Sequence, residues 1–205
     1  MSRRPERSAP PTEAEVRDED WYGRTLSAET HTRVAFVDVD LTEVVDDSCV
    51  FDGCVFRGVR FNASRHTDAA FLNCTFRACT FFDTSFVRCK LVGSTFDRCT
   101  FSSLTVTGGD WSFVGLAGAD LRHVRLEGAR MREADLTDVR GEGMALRDVD
   151  LTGAWLHGTD LSRADLRGAD LSTLDPRTVK LAGAVIGVEQ AVALAGALGL
   201  DVRPE

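Results

Sequence analysis

No apolar run in the 205-residue chain approaches the roughly 18 residues that a membrane-crossing helix needs. The opening stretch MSRRPERSAPPTEAEVRDED lacks the apolar core of a secretion signal, so a cytoplasmic protein is expected. Positive charge is in deficit, with 24 Lys and Arg against 32 Asp and Glu, a net charge of −8. That balance disfavours nucleic acid or an anionic membrane as partner and suits a basic one. There is no CxxC pair, and no histidine stands at ligand spacing from a cysteine, which argues against zinc. No GxSxG nucleophile elbow occurs. Nothing in the sequence calls for a cofactor. The six cysteines are expected as reduced thiols.

What the chain does have is a period of five. In FLNCTFRACTFFDTSFVRCKLVGSTFDRCTF, residues 71–101, a large apolar residue stands at Phe71, Phe76, Phe81, Phe86, Leu91, Phe96 and Phe101. The same frame runs from Phe36 to Leu171, broken only at Asp46, His66 and Gly141. Two residues before each large residue lies a small one, among them Cys54, Cys74, Cys79, Cys89, Cys99, Ala119, Ala134 and Ala164. Two residues after it, glycine is frequent, as at Gly53, Gly58, Gly118 and Gly168. That place suits a turn with positive φ.

Period five fits neither a helix nor a flat strand. It fits a coil of square cross-section in which each unit makes one side and one corner. Four units close a turn, so residues twenty apart stack in successive coils at roughly the 4.8 Å strand spacing. Large residues then form inner columns, and small ones fill the corners. The cysteines are read as wall filling: Cys54 and Cys74 share a column, as do Cys79 and Cys99, but parallel side chains suit buried thiols better than a disulfide.

The stretches AGADLRH, READLTD and SRADLRGADLS closely match the motif A(D/N)LXX, and CTFRA and CTFFDTSF match its Phe-rich form. On these residues the chain resembles the pentapeptide-repeat family over roughly Val34 to Asp175. The resemblance implies an all-β solenoid: a right-handed quadrilateral β-helix of about seven coils, followed by a short C-terminal α-helix. Within the family, ASRHTDAAFLNCTFRACTFFDTSF and LDPRTVKLAGAVIGVEQAVALAGALGL are similar to the MfpA/Qnr fluoroquinolone-resistance group. That group implies a non-catalytic, acidic, dimeric rod that mimics DNA and engages DNA gyrase. The unbroken frame leaves no room for the loop insertions of Qnr proteins. The family alternative is a structural scaffold for another protein partner.

The expected organisation is a mobile tail over 1–20, a β-helix over 21–186 with regular coils at about 34–175, and a C-terminal segment over 187–205. In that segment Val188, Ala191, Val192, Ala195 and Leu198 recur at helical spacing with Leu194 beside them. They are expected to cap the open end of the solenoid and, by the resemblance, to form a homodimer contact.

Two sets of residues are candidates for function. Asp110, Asp150 and Asp170 stack on one outer face with Arg130 between, and Asp120 and Asp160 stack on another with Arg140 between. These columns are read either as a solvated face of alternating charge or as a weak copy of duplex DNA, which carries one phosphate per ~1.7 Å of axis. Asp46 and His66 occupy large inward places twenty apart. They are read either as an acid–base dyad or as a loosened first coil with Asp46 turned out.

Overall fold

A computed structural model describes residues 9–203. Parallel pairing links each residue to the one twenty places on, from Ala14↔Val34 through Phe56↔Phe76 to Asp165↔Val185. The strands are three or four residues long and fall into four sheets, one per side of the coil. The connections take the right-handed sense that parallel crossovers favour. The solenoid has about seven turns. The four sides are named here in chain order: the first carries Phe36, Phe56 and Phe76 inward, the second Leu41, Phe61 and Phe81, the third Asp46, His66 and Phe86, the fourth Phe51, Phe71 and Leu91.

Inward rings stack along the axis. Phe36, Phe56, Phe76 and Phe96 have successive centroids 5.0, 4.8 and 4.6 Å apart and nearly parallel planes. Rings on adjoining sides meet edge to face, as Phe36 does with Phe51 at 72°. Both geometries are the preferred ones for aromatic pairs. The small places are chemically more specific than size alone requires. Cys54, Cys74, Cys79, Cys89 and Cys99 each donate from Sγ to the carbonyl 23 residues earlier, at 3.2–3.5 Å. Thr84, Ser94 and Thr159 make the same bond from a hydroxyl at 2.7–2.8 Å. The place therefore takes a small side chain with a short donor, or a plain Ala or Val. All six cysteines are free thiols, and burial pushes Cys49 and Cys89 up to about 12.

The second residue after nearly every inward place turns with positive φ, but glycine is only one occupant; Asp38, Ala78, Arg88 and Ser103 adopt the same conformation. At Gly109 glycine is required: φ is +87°, and a Cβ would lie 2.1 Å from the Cys89 carbonyl oxygen.

The N-terminal boundary differs from expectation. Ala14–Arg17 is a strand paired with Val34–Val37, inside the segment expected as a tail. Val16 is in frame with Phe36, but charged neighbours at Glu15 and Arg17 hide the signal. Trp21 is buried over Phe36, donates from Nε1 to Glu19, and has the Arg24 guanidinium above its ring. Residues 1–8 of the expected tail and 204–205 at the other end lie outside the described residues.

The helix α1 spans Val188–Ala197. Its Gln190 clamps the last coil: Nε2 donates to the carbonyls of Leu166 (2.6 Å) and Ala169 (2.8 Å), and Oε1 accepts from the Gly187 N–H. Gly199 ends the helix with φ +85°, and the Leu200 N–H reaches back to Ala195, a Schellman stop. Among the described residues no helix is long and apolar enough to cross a membrane.

Candidate interaction surface and the buried polar cluster

Each of the five candidate carboxylates sits in the outward place just before an inward leucine, tryptophan or equivalent. In that place each accepts the backbone N–H two residues on. Asp110 takes it from Ser112, Asp120 from Arg122, Asp150 from Thr152, Asp160 from Ser162 and Asp170 from Ser172, at 2.9–3.4 Å. The aspartate of the repeat motif is thus a turn cap, for which Asn would serve equally.

Four of the five also have a cationic partner. Asp110 pairs with Arg130 at 3.0 Å, Asp120 with Arg122 at 2.6 Å and Arg140 at 3.5 Å, Asp150 with Arg132 at 2.6 Å and Asp160 with Lys180 at 3.2 Å. Asp170 instead accepts the Thr152 hydroxyl at 3.0 Å and has no cationic partner among the described residues. All five are held below the ordinary carboxylate range. At Asp110 and Asp150 burial pulls upward and is outweighed by bonds from Ser112 and Thr152 and from Arg130 and Arg132. At Asp120 the Arg122 bond leads, and at Asp160 and Asp170 the Ser162 and Ser172 bonds lead. The pairs are exposed, so each adds little to stability.

The sequence reading followed one column at a time and found Arg130 and Arg140. It missed Arg122 and Arg132, which stand at corners and reach their acids from the same coil or the one before. It also missed the grip of Arg147 and Arg167 on the outward Asp165. Corner residues two places beyond or eighteen places before each acid hold all of them.

Asp46 and His66 are neighbours in adjoining coils, and both point inward. His66 Nδ1 lies 2.8 Å from Asp46 Oδ2, and its Nε2 lies 3.0 Å from Ser64 Oγ. The order Asp–His–Ser is that of a hydrolase triad. The serine hydrogen is placed otherwise. The Ser64 hydroxyl donates to the Phe61 carbonyl at 2.6 Å. Asp46 accepts from Nδ1 on one oxygen and from the Cys49 N–H on the other. The His66 ring is thus held between the Asp46 carboxylate and the Ser64 hydroxyl oxygen. The three side chains are at most 2% exposed, with His66 stacked 4.9 Å from Phe86. The cluster is a satisfied polar core, and Asp46 is not turned outward. Among the described residues no group of three or more His, Cys, Asp or Glu is placed to hold a metal.

At the C-terminal end Leu194 packs against the core and Ala195 is half-buried, whereas Val188, Ala191, Val192 and Leu198 face solvent. Val188 is 83% exposed and Val192 48%. The face that docks on the solenoid is the one bearing Gln190 and Leu194. Most of the stripe read from the sequence lies outside it.

Comparison with known proteins agrees with this architecture. A pentapeptide repeat region model matches residues 79–156, and a model of pentapeptide repeats matches 146–174. A model described as the SV2A/B/C luminal domain matches 14–101. No curated protein matches the chain. Full-length QnrB1, a plasmid-mediated fluoroquinolone resistance protein, is 18% identical with a TM-score of 0.56, covering 91% of this chain and 100% of that one. A trypsin-treated QnrB1 variant is 19% identical with a TM-score of 0.51, covering 94% and 99%. HetL, a pentapeptide repeat protein from the cyanobacterium Nostoc, is 18% identical with a TM-score of 0.37, covering 83% and 82%. At these identities the likeness is one of fold. Residues 79–174 match models of pentapeptide repeats, and the fold is that of a pentapeptide-repeat β-helix.

The polar cluster makes a quantitative prediction. His66→Phe alone or Asp46→Leu alone leaves a buried polar group without its partner and should cost about 3–5 kcal/mol in urea unfolding. The double variant continues the apolar column between Leu26 and Phe86 and should recover most of that loss. Equal losses in all three variants would contradict the assignment.

Proposed function

We propose that this protein is a non-catalytic acidic rod that occupies the DNA-binding surface of DNA gyrase or another type II topoisomerase and modulates it. Protection of the enzyme against quinolones would follow from such binding. The observation that carries the proposal is the repetition of carboxylates at coil spacing along a stiff rod of net charge −8. Such a rod offers a basic groove a rigid, negatively charged surface with no base edges to read. QnrB1 is by description a fluoroquinolone resistance protein, and the likeness of fold supports the choice of partner. The rod acts as a homodimer joined through α1, because Val188, Val192 and Leu198 form an apolar stripe that its own solenoid does not cover.

A second reading is a scaffold for a different protein. It is favoured by the ion pairs at Asp110, Asp120, Asp150 and Asp160, which leave those columns less negative than their sequence suggests.

The turn caps allow a clean test. Asp→Asn at 110, 120, 150, 160 and 170 keeps the oxygen that accepts each turn N–H and removes the charge. In a gyrase supercoiling assay with and without a quinolone, the native protein should inhibit or protect at micromolar concentration. The five-Asn variant should lose at least tenfold in potency with its melting temperature nearly unchanged. An inactive native protein leaves the scaffold reading; full activity in the variant removes the mimicry mechanism. Light scattering should give a dimer for the native chain and a monomer for Val188→Asp with Val192→Asp. A monomeric native chain would overturn the α1 contact.

A further inference from the structure

The ladder between coils is nearly continuous, but it opens on the second side in the middle of the rod. Bridges run Asp20↔Asp40, Asp40↔Arg60 and Arg60↔Thr80, continue through the strand pair Thr80↔Thr100, and resume at Asp120↔Arg140. Among the described residues no bridge joins Thr100 to Asp120. The hydrogen bonds of the same stretch are missing too. Ala63 donates to the carbonyl 19 residues on, as do Asp83 and Gly143, but Arg98, Phe101, Ser103 and His123 do not. Asp120 also lacks the bond back to Cys99 that its counterparts Arg60, Thr80 and Arg140 make to Val39, Val59 and Ala119. A similar gap occurs near Asp170 and Asp175, where the repeat ends; the one at Thr100 lies amid regular coils.

The other three sides stay closed at this level. Phe96 donates to Gly115 at 2.9 Å, Gly108 to Glu127 at 2.7 Å and Trp111 to Arg130 at 2.7 Å. Independent features mark the same place. Cys99 is the one cysteine not fully buried. Phe101 and Phe96 are 6% and 8% exposed, where Phe56, Phe61 and Phe76 are at 0%. The Phe81–Phe101 stack is the widest on its side, 5.3 Å against 4.9 Å for Phe61–Phe81. A narrow apolar cavity begins at Phe101, Leu104 and Trp111 and runs along the core past Met131 to Leu161, and the Trp111 indole N–H is buried with no acceptor.

The cause lies in the core. Each column of rings ends here: Phe96 is followed by Leu116, Phe101 by Leu121, Phe86 by Val106, and Trp111 by Met131. Flat rings fill a coil differently from branched aliphatic side chains, and the mismatch leaves unfilled space that weakens the contact above it.

We infer that the rod is built of two cooperative blocks, one on each side of the seam between Arg98–Ser103 and Ala117–His123, and that it opens there first. The three closed sides act as the hinge, and the second side parts. This is a property of the coil stack alone and holds whatever the partner. Backbone amides without a ladder bond and with solvent beside them belong to the low-stability end of a structure.

Residue-resolved hydrogen exchange on the intact native chain tests it. The amides of Phe101, Ser103 and Asp120 should exchange on the order of a hundredfold faster than those of Phe61, Ala63 and Gly143. With rising sub-denaturing urea, slow amides before the seam and slow amides after it should follow two separate isotherms. Seam amides as slow as Phe61, or a single isotherm for both blocks, would overturn the inference.

Discussion

Everything in this molecule follows from the pairing of each residue with the one twenty places on. No single side of the coil can bury its inward pair, because one unit presents only one large and one small side chain. Stacking supplies the second surface, and the parallel ladder fixes the stack at strand spacing. The square turn that makes this possible needs a left-handed residue at nearly every corner. The chain accepts that conformation even at Arg88 and Phe113, because the same corner residue gains a bond to the next coil or is held by its surroundings. Since all sides are alike, the fold has a screw symmetry of one unit: moving the sequence by five residues is a quarter turn and still places large over large. The buried Asp46–His66 pair breaks this degeneracy locally. A shift of one unit would set Asp46 against Phe61 or Phe71, so the pair ties two coils to one register.

The same geometry explains why chemistry-bearing residues here are poor guides to function. A cysteine in the small place is a short donor to a carbonyl 23 residues back. An aspartate in the outward place is a cap for the next turn and commonly one half of an ion pair. An Asp–His–Ser chain in the core is fully buried, and its Ser64 hydroxyl is bonded to a backbone carbonyl. Surface function in such a rod has to be carried by charges and apolar groups left over once the repeat is satisfied. Asp170 and the outer stripe of α1 are of that kind.

The frame of large residues was fully legible in the sequence because a period of five has no competing explanation, and it carried the solenoid and the stacking of columns, while the helical spacing from Val188 to Leu198 carried the C-terminal helix. Three things were not legible, each for a physical reason. The strand at Ala14–Arg17 has a single inward residue, Val16, between charged neighbours, so apolar patterning falls silent while backbone pairing persists. The ion pairs at Arg122 and Arg132 run from corners, which a column-by-column reading does not connect. The face of α1 that docks is chosen by Gln190, a polar residue that satisfies two carbonyls at the open end, and hydrophobic spacing cannot see that bond.

If the five-residue unit is the true element of the fold, removing one unit should be far milder than removing four residues. Deleting residues 67–71 carries the chain from one inward place to the next corner without breaking the pattern and rotates the downstream coils by a quarter turn. Deleting 68–71 removes less of the chain but throws every later residue out of phase with the coils before it. Thermal unfolding of the two variants beside the native chain is the most direct measurement. The account predicts a cooperative transition within a few degrees of native for the first and a loss on the order of 10 °C or more for the second. Equal melting temperatures for the two deletions would contradict it.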